Sequence, residues 1–213
     1  MKTEGKKIFL RLIHLVTEFA NPFKRYIKID RISLVNAHDI LSILHECYKN
    51  PEHMDPAPFS STTPSASDLD RAGINFRPNA GAIWLLEMGV TTNPCLLFSS
   101  YWSDVTLTML VFIVSEFSEL ILRNLIAYEQ ANFVLNHITS YAFALNKLVD
   151  TEDDVVKLVH SRVLVNNIGS NEEAASMTNI IRKELLCGQF FYGQHWKTLN
   201  KHYSSSWRKK KLG

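Results

Sequence analysis

The sequence predicts a mainly α protein, an irregular helical bundle carrying a small β-hairpin around residues 74–98. Three observations predict it. From Ser118 to Val149 the apolar residues recur every three to four positions, the period of a helix, with no strand-like alternation. Two later starts, Thr151-Glu-Asp-Asp154 and Ser170-Asn-Glu-Glu173, place a hydroxyl N-cap three residues ahead of an acid, in the manner of a capping box. Only the stretch from Ile74 toward residue 98 reads as extended, and its patterning is weak.

In chain order, the first helix is expected from about Glu4 to Phe19, with Ile8, Leu12, Leu15, Val16 and Phe19 on its apolar face, and it stops at Asn21-Pro22. A second runs from Ile32 to Tyr48, its arc of Leu34, Ala37, Ile40, Leu41, Leu44 and Cys47 opposing Asn36, Asp39, Ser42 and Glu46. Four prolines among Ser and Thr then mark an exposed linker. The chain so divides into N-terminal helices (1–49), a Pro/Ser-rich linker (50–64) and a helical core portion (65–213). Ser65 or Ser67 caps a short helix that Gly73 closes. Phe117 to Gln130 shows one narrow polar stripe, Glu119, Arg123 and Gln130, and is expected to be buried on most sides. Phe133 to Val149 is amphipathic: Val134, Ile138, Tyr141, Ala142, Leu145, Leu148 and Val149 face one way, Asn136, Thr139, Ser140, Asn146 and Lys147 the other. Helices begun by Thr151 and Ser170 follow, each cap stabilising its helix by roughly 1 kcal/mol. A last helix from about His195 carries Trp196, Leu199, Tyr203 and Trp207 on one side.

Composition bounds function. Apolar residues at 46% and charged residues at 21% are those of a folded chain, and a net charge of +2 lacks the footprint of a nucleic-acid binder. Cys47, Cys95 and Cys187 are an odd, widely spaced set without C-x-x-C, which reads as reduced structural thiols. Lys6-Lys7 before Ile8-Phe9-Leu10 resembles a secretory leader, but Arg11, His14 and Glu18 interrupt the apolar run. Val105 to Val114 is the most apolar stretch; it is about half the length needed to cross a bilayer, and its extension meets Glu116, Glu119 and Arg123, so it is expected to be buried.

No catalytic constellation is legible. His38, His45, Cys47 and His53 form the densest metal-capable cluster. They match no ligand spacing, and the two helical histidines read as border residues, so no metal or other cofactor is expected. There is no G-x-S-x-G elbow, P-loop or G-x-G-x-x-G, and no small-molecule ligand is predicted. Asn124 and Glu129 are the two polar residues inside an apolar helical arc, and the expectation is that they bond neighbouring helices and fix the register of the core. A carboxylate in such a place also suits a catalytic acid, which makes an enzyme with a polar site around Glu129 the alternative. The basic end, Arg208, Lys209, Lys210 and Lys211, could contact a membrane surface or be a solvated tail.

Several segments together resemble one family. Pro64-Ser-Ala-Ser-Asp-Leu-Asp-Arg-Ala-Gly-Ile-Asn-Phe76 is similar to the PSATEL-x-EAGVKF signature of the plant domain-of-unknown-function 247 family, and Leu122-Arg-Asn-Leu-Ile-Ala-Tyr-Glu-Gln130 to its RNLIAFEQ motif. Ile138-Thr-Ser-Tyr-Ala142, Thr151-Glu-Asp-Asp-Val155 and Val165-Asn-Asn-Ile-Gly-Ser170 follow in the family's order, and the likeness spans roughly residues 4–20 and 64–207. Between about Met88 and Ser115 the chain departs from the family pattern and reads like an insertion. The family's substantial N-terminal portion and its C-terminal transmembrane anchor beyond Trp207 are both expected to be missing. The resemblance implies a plant protein, often membrane-associated, without established enzymatic activity; some grass members take part in pollen self-incompatibility.

The expectation is therefore a non-enzymatic helical protein that works through a protein partner and binds no nucleic acid. The resemblance implies residence at the plasma membrane for full-length relatives, and a cytoplasmic location is expected if this chain is the mature form.

Overall fold

One helix organises the core. The computed structural model describes residues 22–23, 39–49, 64–82, 84–94, 103–183 and 190–210. The expected first helix, residues 50–63 of the linker, His38, His53, Cys95, Cys187 and Lys211 lie outside them. Among the described residues there are seven helices: α1 (Ile40–Tyr48), α2 (Ala66–Arg71), α3 (Glu116–Asn132), α4 (His137–Leu148), α5 (Glu152–His160), α6 (Asn171–Lys183) and α7 (Gly193–Lys210). Five strands join them: β1 (Ile74–Pro78), β2 (Met88–Pro94), β3 (Ser103–Met109), β4 (Phe112–Val114) and β5 (Leu164–Asn166). The protein is mainly α, as the periodicity predicts.

Helix α4 is the organiser, packed against α1, α3 and α6. Its apolar face, Ile138, Tyr141, Ala142, Leu145 and Leu148, is buried as expected. So is most of the face expected to meet solvent: Thr139, Ser140 and Asn146 are buried as well. Each finds a polar partner, which is what burial of such groups demands. Ser140 Oγ accepts the Phe191 N–H at 2.9 Å, and the Asn146 amide donates to Asn179 Oδ1 at 2.9 Å. Helix α3 departs the other way. It buries Leu122, Leu125, Ile126 and Glu129, but Phe117, Leu120, Asn124, Ala127 and Ala131 form an exposed face.

The expected hairpin around 74–98 is corrected. β1 and β2 do not pair with each other; both pair with β3, giving the order β1-β3-β2. β1 runs parallel to β3 (Ile74↔Val105, Phe76↔Leu107) and β2 antiparallel to it (Val90↔Leu107, Met88↔Met109). The hairpin is therefore β2–β3, displaced toward the C-terminus. The cause lies inside the apolar run Val105–Val114, where Val105, Leu107 and Met109 alternate toward the core within a β-branched context suited to a central strand. The run is buried, as expected, and the segment that reads like an insertion supplies the middle of the sheet.

A second, parallel pair joins β4 to β5 (Phe112↔Leu164), and Phe23 bridges to Phe112. Phe23, Phe112 and Tyr192 surround the Tyr141 ring with centroid distances of 5.3, 6.2 and 6.4 Å. Such offset and edge contacts add about 0.5–1.5 kcal/mol per pair to the burial of the rings. Helix starts follow their caps: Asp39 and Ser42 form a box at α1, and Ser170 Oγ accepts the Glu173 N–H.

Candidate functional site

A densely bonded buried carboxylate, Glu129, lies on the inner face of α3. The chain leaves α3 through Phe133, in the left-handed region at φ 52° and ψ 34°, and re-enters helix at His137. This short return points the N-terminus of α4 at the Glu129 carboxylate. Oε1 accepts the Ile138 N–H at 2.8 Å, and Oε2 accepts the Thr139 N–H at 2.8 Å and the Thr139 hydroxyl at 2.6 Å. Asn136, the residue at the N-cap position, makes no side-chain cap bond. Glu129 replaces it from the preceding helix, placing a carboxylate at the positive end of the α4 dipole.

His45, on α1, completes the group, with Nε2 3.2 Å from Oε1. A hydrogen bond to a carboxylate requires the proton on Nε2. His45 is buried and meets the Tyr128 ring, so its reading as a border histidine is corrected. Glu129 thus ties α1, α3 and the start of α4 together. Asn124 does not share this role. It lies on the exposed face and donates to its own helix, to the Leu120 carbonyl at 2.7 Å, so the expectation that it braces the core is also corrected. It occupies an outward side that also carries Phe117, Leu120, Ala127 and Ala131, a placement periodicity cannot distinguish from burial.

The surroundings of the Glu129 cluster are aromatic. His137 stacks on Phe191 at 4.6 Å and meets Trp84 edge-on at 6.2 Å. Desolvation holds its imidazole pKa below the ordinary value, with Glu129 opposing that shift more weakly. Burial likewise pushes the Cys47 thiol up to about 12, so it is not poised as a nucleophile. Chemically, Glu129 has no surface exposure, and four donors occupy its two oxygens. A carboxylate so engaged has no open lone pair to offer a substrate. Among the described residues no three His, Cys, Asp or Glu side chains are grouped to hold a metal.

Asp154, a second buried carboxylate, escaped the sequence reading except as part of a cap. Its Oδ2 accepts the Asp150 and Thr151 N–H groups at 3.0 and 2.9 Å, and its Oδ1 accepts the Ser67 N–H at 2.8 Å. It therefore joins α5 to the start of α2. Desolvation raises its pKa, but the Ser67 N–H, the Ser65 hydroxyl and the Thr151 N–H together outweigh that and leave it below the usual carboxylate value.

The outer surface presents the other notable feature. On α3, Phe117 is 71% and Leu120 60% exposed, Asn124, Ala127 and Ala131 continue that exposed face, and Phe133 at the C-cap is 95% exposed. At the C-terminus the α7 backbone extends through Arg208, Lys209 and Lys210, whose side chains lie outside the described residues. No helix among the described residues is long and apolar enough to cross a membrane.

The family model DUF247, described as a plant protein of unknown function, matches residues 2–212, across the segment that reads like an insertion. A putative UPF0481 protein of Arabidopsis thaliana is 32% identical over 151 residues, covering 70% of this chain. The chain spans about a quarter (26%) of that relative's length. No solved structure matches.

Proposed function

The chain belongs to the DUF247 family of plant proteins of unknown function, and from that premise we propose that it is a non-enzymatic protein-interaction module. The observation that carries this reading is the outer edge of α3. Phe133 holds a left-handed conformation that costs a non-glycine residue roughly 1–2 kcal/mol, yet its ring packs on almost nothing within the chain. Toward the other end of α3, Phe117 and Leu120 form an exposed apolar ridge with Glu116 and Glu119 along it. An aromatic anchor beside an apolar, acid-edged helix face is the composition of an interface centre. The partner is a protein offering an apolar pocket to Phe133 and basic residues to the rim.

The enzyme alternative draws on His45 as a second titratable group beside Glu129. The satisfied, unexposed carboxylate supports the interaction reading instead. Phe133→Gly relieves the backbone and removes the anchor; Leu120→Asp interrupts the ridge. Both variants are expected to melt within a few degrees of the parent and to lose a partner captured from plant extract by the parent, verified afterwards with the purified partner. Equal binding by parent and variants would exclude the ridge.

Membrane proximity of the longer relatives is a separate proposal that rests on the basic end. Arg208, Lys209, Lys210 and Lys211 together are expected to draw the chain to vesicles containing phosphatidylserine, at about 1 kcal/mol per charge. Replacing the four with Ala should abolish co-sedimentation; retention by the variant would remove this proposal.

A further inference from the structure

Between α2 and the α4–α5 junction lies an open polar groove of about 500 Å³. Asp68, Asp150, Asp153 and Asp154 line it against Arg71 and Lys147, a formal excess of two negative charges. Arg71 is paired with Asp68 at 3.1 Å, and Lys147 lies over the Phe143 ring at 5.2 Å. Asp154 is consumed by the helix starts it caps. The Asp150 and Asp153 carboxylates have no ion pair among the described residues, and both face solvent. First-turn acids explain Asp153 as a companion of the α5 dipole, so the acids alone define nothing.

A second observation does. Asn146 lines the same groove and is 96% buried, judged from its 4% exposure. Its amide nitrogen serves Asn179 and the Thr178 carbonyl, but its Oδ1 has no hydrogen-bond partner among the described residues. Ser67 lines the groove too, and its N–H goes to Asp154. A buried acceptor left unmet costs about 1–3 kcal/mol, and an amide oxygen can only be met by a donor. An unmet amide oxygen beside carboxylates without an ion pair disfavours an anion and calls for a cation rich in N–H groups.

We propose that this groove receives a guanidinium or ammonium group, carried by an arginine or lysine of the partner protein. The assignment rests on the interaction reading above and names a chemistry for the partner. A guanidinium suits it best, because its planar fork of five donors can serve Asn146 Oδ1 and a flanking carboxylate at once.

The test is an amide-shift titration of the intact chain with three probes: agmatine, the N-acetylated and C-amidated peptide Gly-Gly-Arg-Gly-Gly, and the same capped peptide with neutral citrulline. The expected result is saturable shifts at Asp150, Thr151 and Asp153 with both guanidinium probes and none with citrulline. Asp150→Asn with Asp153→Asn, two solvent-facing changes, should weaken the response about tenfold. Three results would overturn the site: no saturable shift, equal shifts at Glu172 and Glu173 of α6, or an unchanged response in the double variant. A response to agmatine without one to the arginine peptide would reassign the groove to a small free cation and overturn the partner assignment. The Phe133→Gly experiment reads the interaction function itself, so failure here with ridge-dependent binding intact removes the groove alone.

Discussion

At the level of single residues, Glu129 shows what a linear pattern can and cannot convey. That it interrupts an apolar arc is visible in the sequence. Its partners are not, because His45 lies 84 positions away and the two backbone donors exist only once the chain turns at Phe133. Replacing Glu129 by Ala would strand buried donors from α1 and α4, and the cost is expected to be about 3–5 kcal/mol in urea denaturation. Asn124→Ala, outside that network, should stay within about 0.5 kcal/mol; an equal loss at the two positions would contradict the division between them. Stability should also depend on pH in two windows. His137 and His195 have folded pKa values lowered by desolvation, so the unfolded chain binds their protons first; their contribution is whole above pH 6.5 and is lost as pH falls through the folded values. Asp154, also lowered, contributes above 3.8 and is lost as acid reaches its folded value. Chemical denaturation from pH 8 to pH 3 should therefore show stability falling in both windows, and His137→Phe should flatten the upper one.

Individual elements were legible in existence but not always in orientation. The capping patterns at Thr151 and Ser170 announce α5 and α6, since a cap is written in adjacent residues. Helices α3 and α4 exchange the environments that their patterns imply. The apolar one keeps an exposed face, and the amphipathic one is enclosed because its polar side chains act as hydrogen-bonding partners inside the protein. Hydrophobic periodicity records which residues can be buried, whereas burial of Thr139, Ser140 and Asn146 depends on acceptors and donors from distant segments. Ser140 provides the sharper test of this exchange. In the amphipathic reading Ser140→Ala is a surface change of no consequence. Here it leaves the buried Phe191 N–H without an acceptor, and a loss of about 1–3 kcal/mol is expected in thermal or urea unfolding.

For the molecule as a whole, the decisive segment is the one whose sequence reads like an insertion, although the family model matches across it. Residues 88–115 supply β2, β3, β4 and the Ser115 cap of α3. An insertion tolerated by a fold loops outward and leaves the core intact. This segment instead buries Val105, Leu107, Met109, Phe112 and Val114, gives β1 its hydrogen-bonding neighbour, and carries Phe112 into the ring cluster around Tyr141. Sequence comparison by motif misses this because strands conserve an alternation, not an order of named residues, and many apolar sequences fit one register. Excising residues 88–115 and bridging the gap with a Gly-Ser linker should therefore abolish cooperative unfolding, as followed by circular dichroism. β1 would keep unpaired backbone groups, and α3 would lose its cap together with the β4 packing at its base. A shortened chain that still melted sharply would mean that α3, α4 and α6 form a core without the sheet, and that the buried apolar run is an ornament to it.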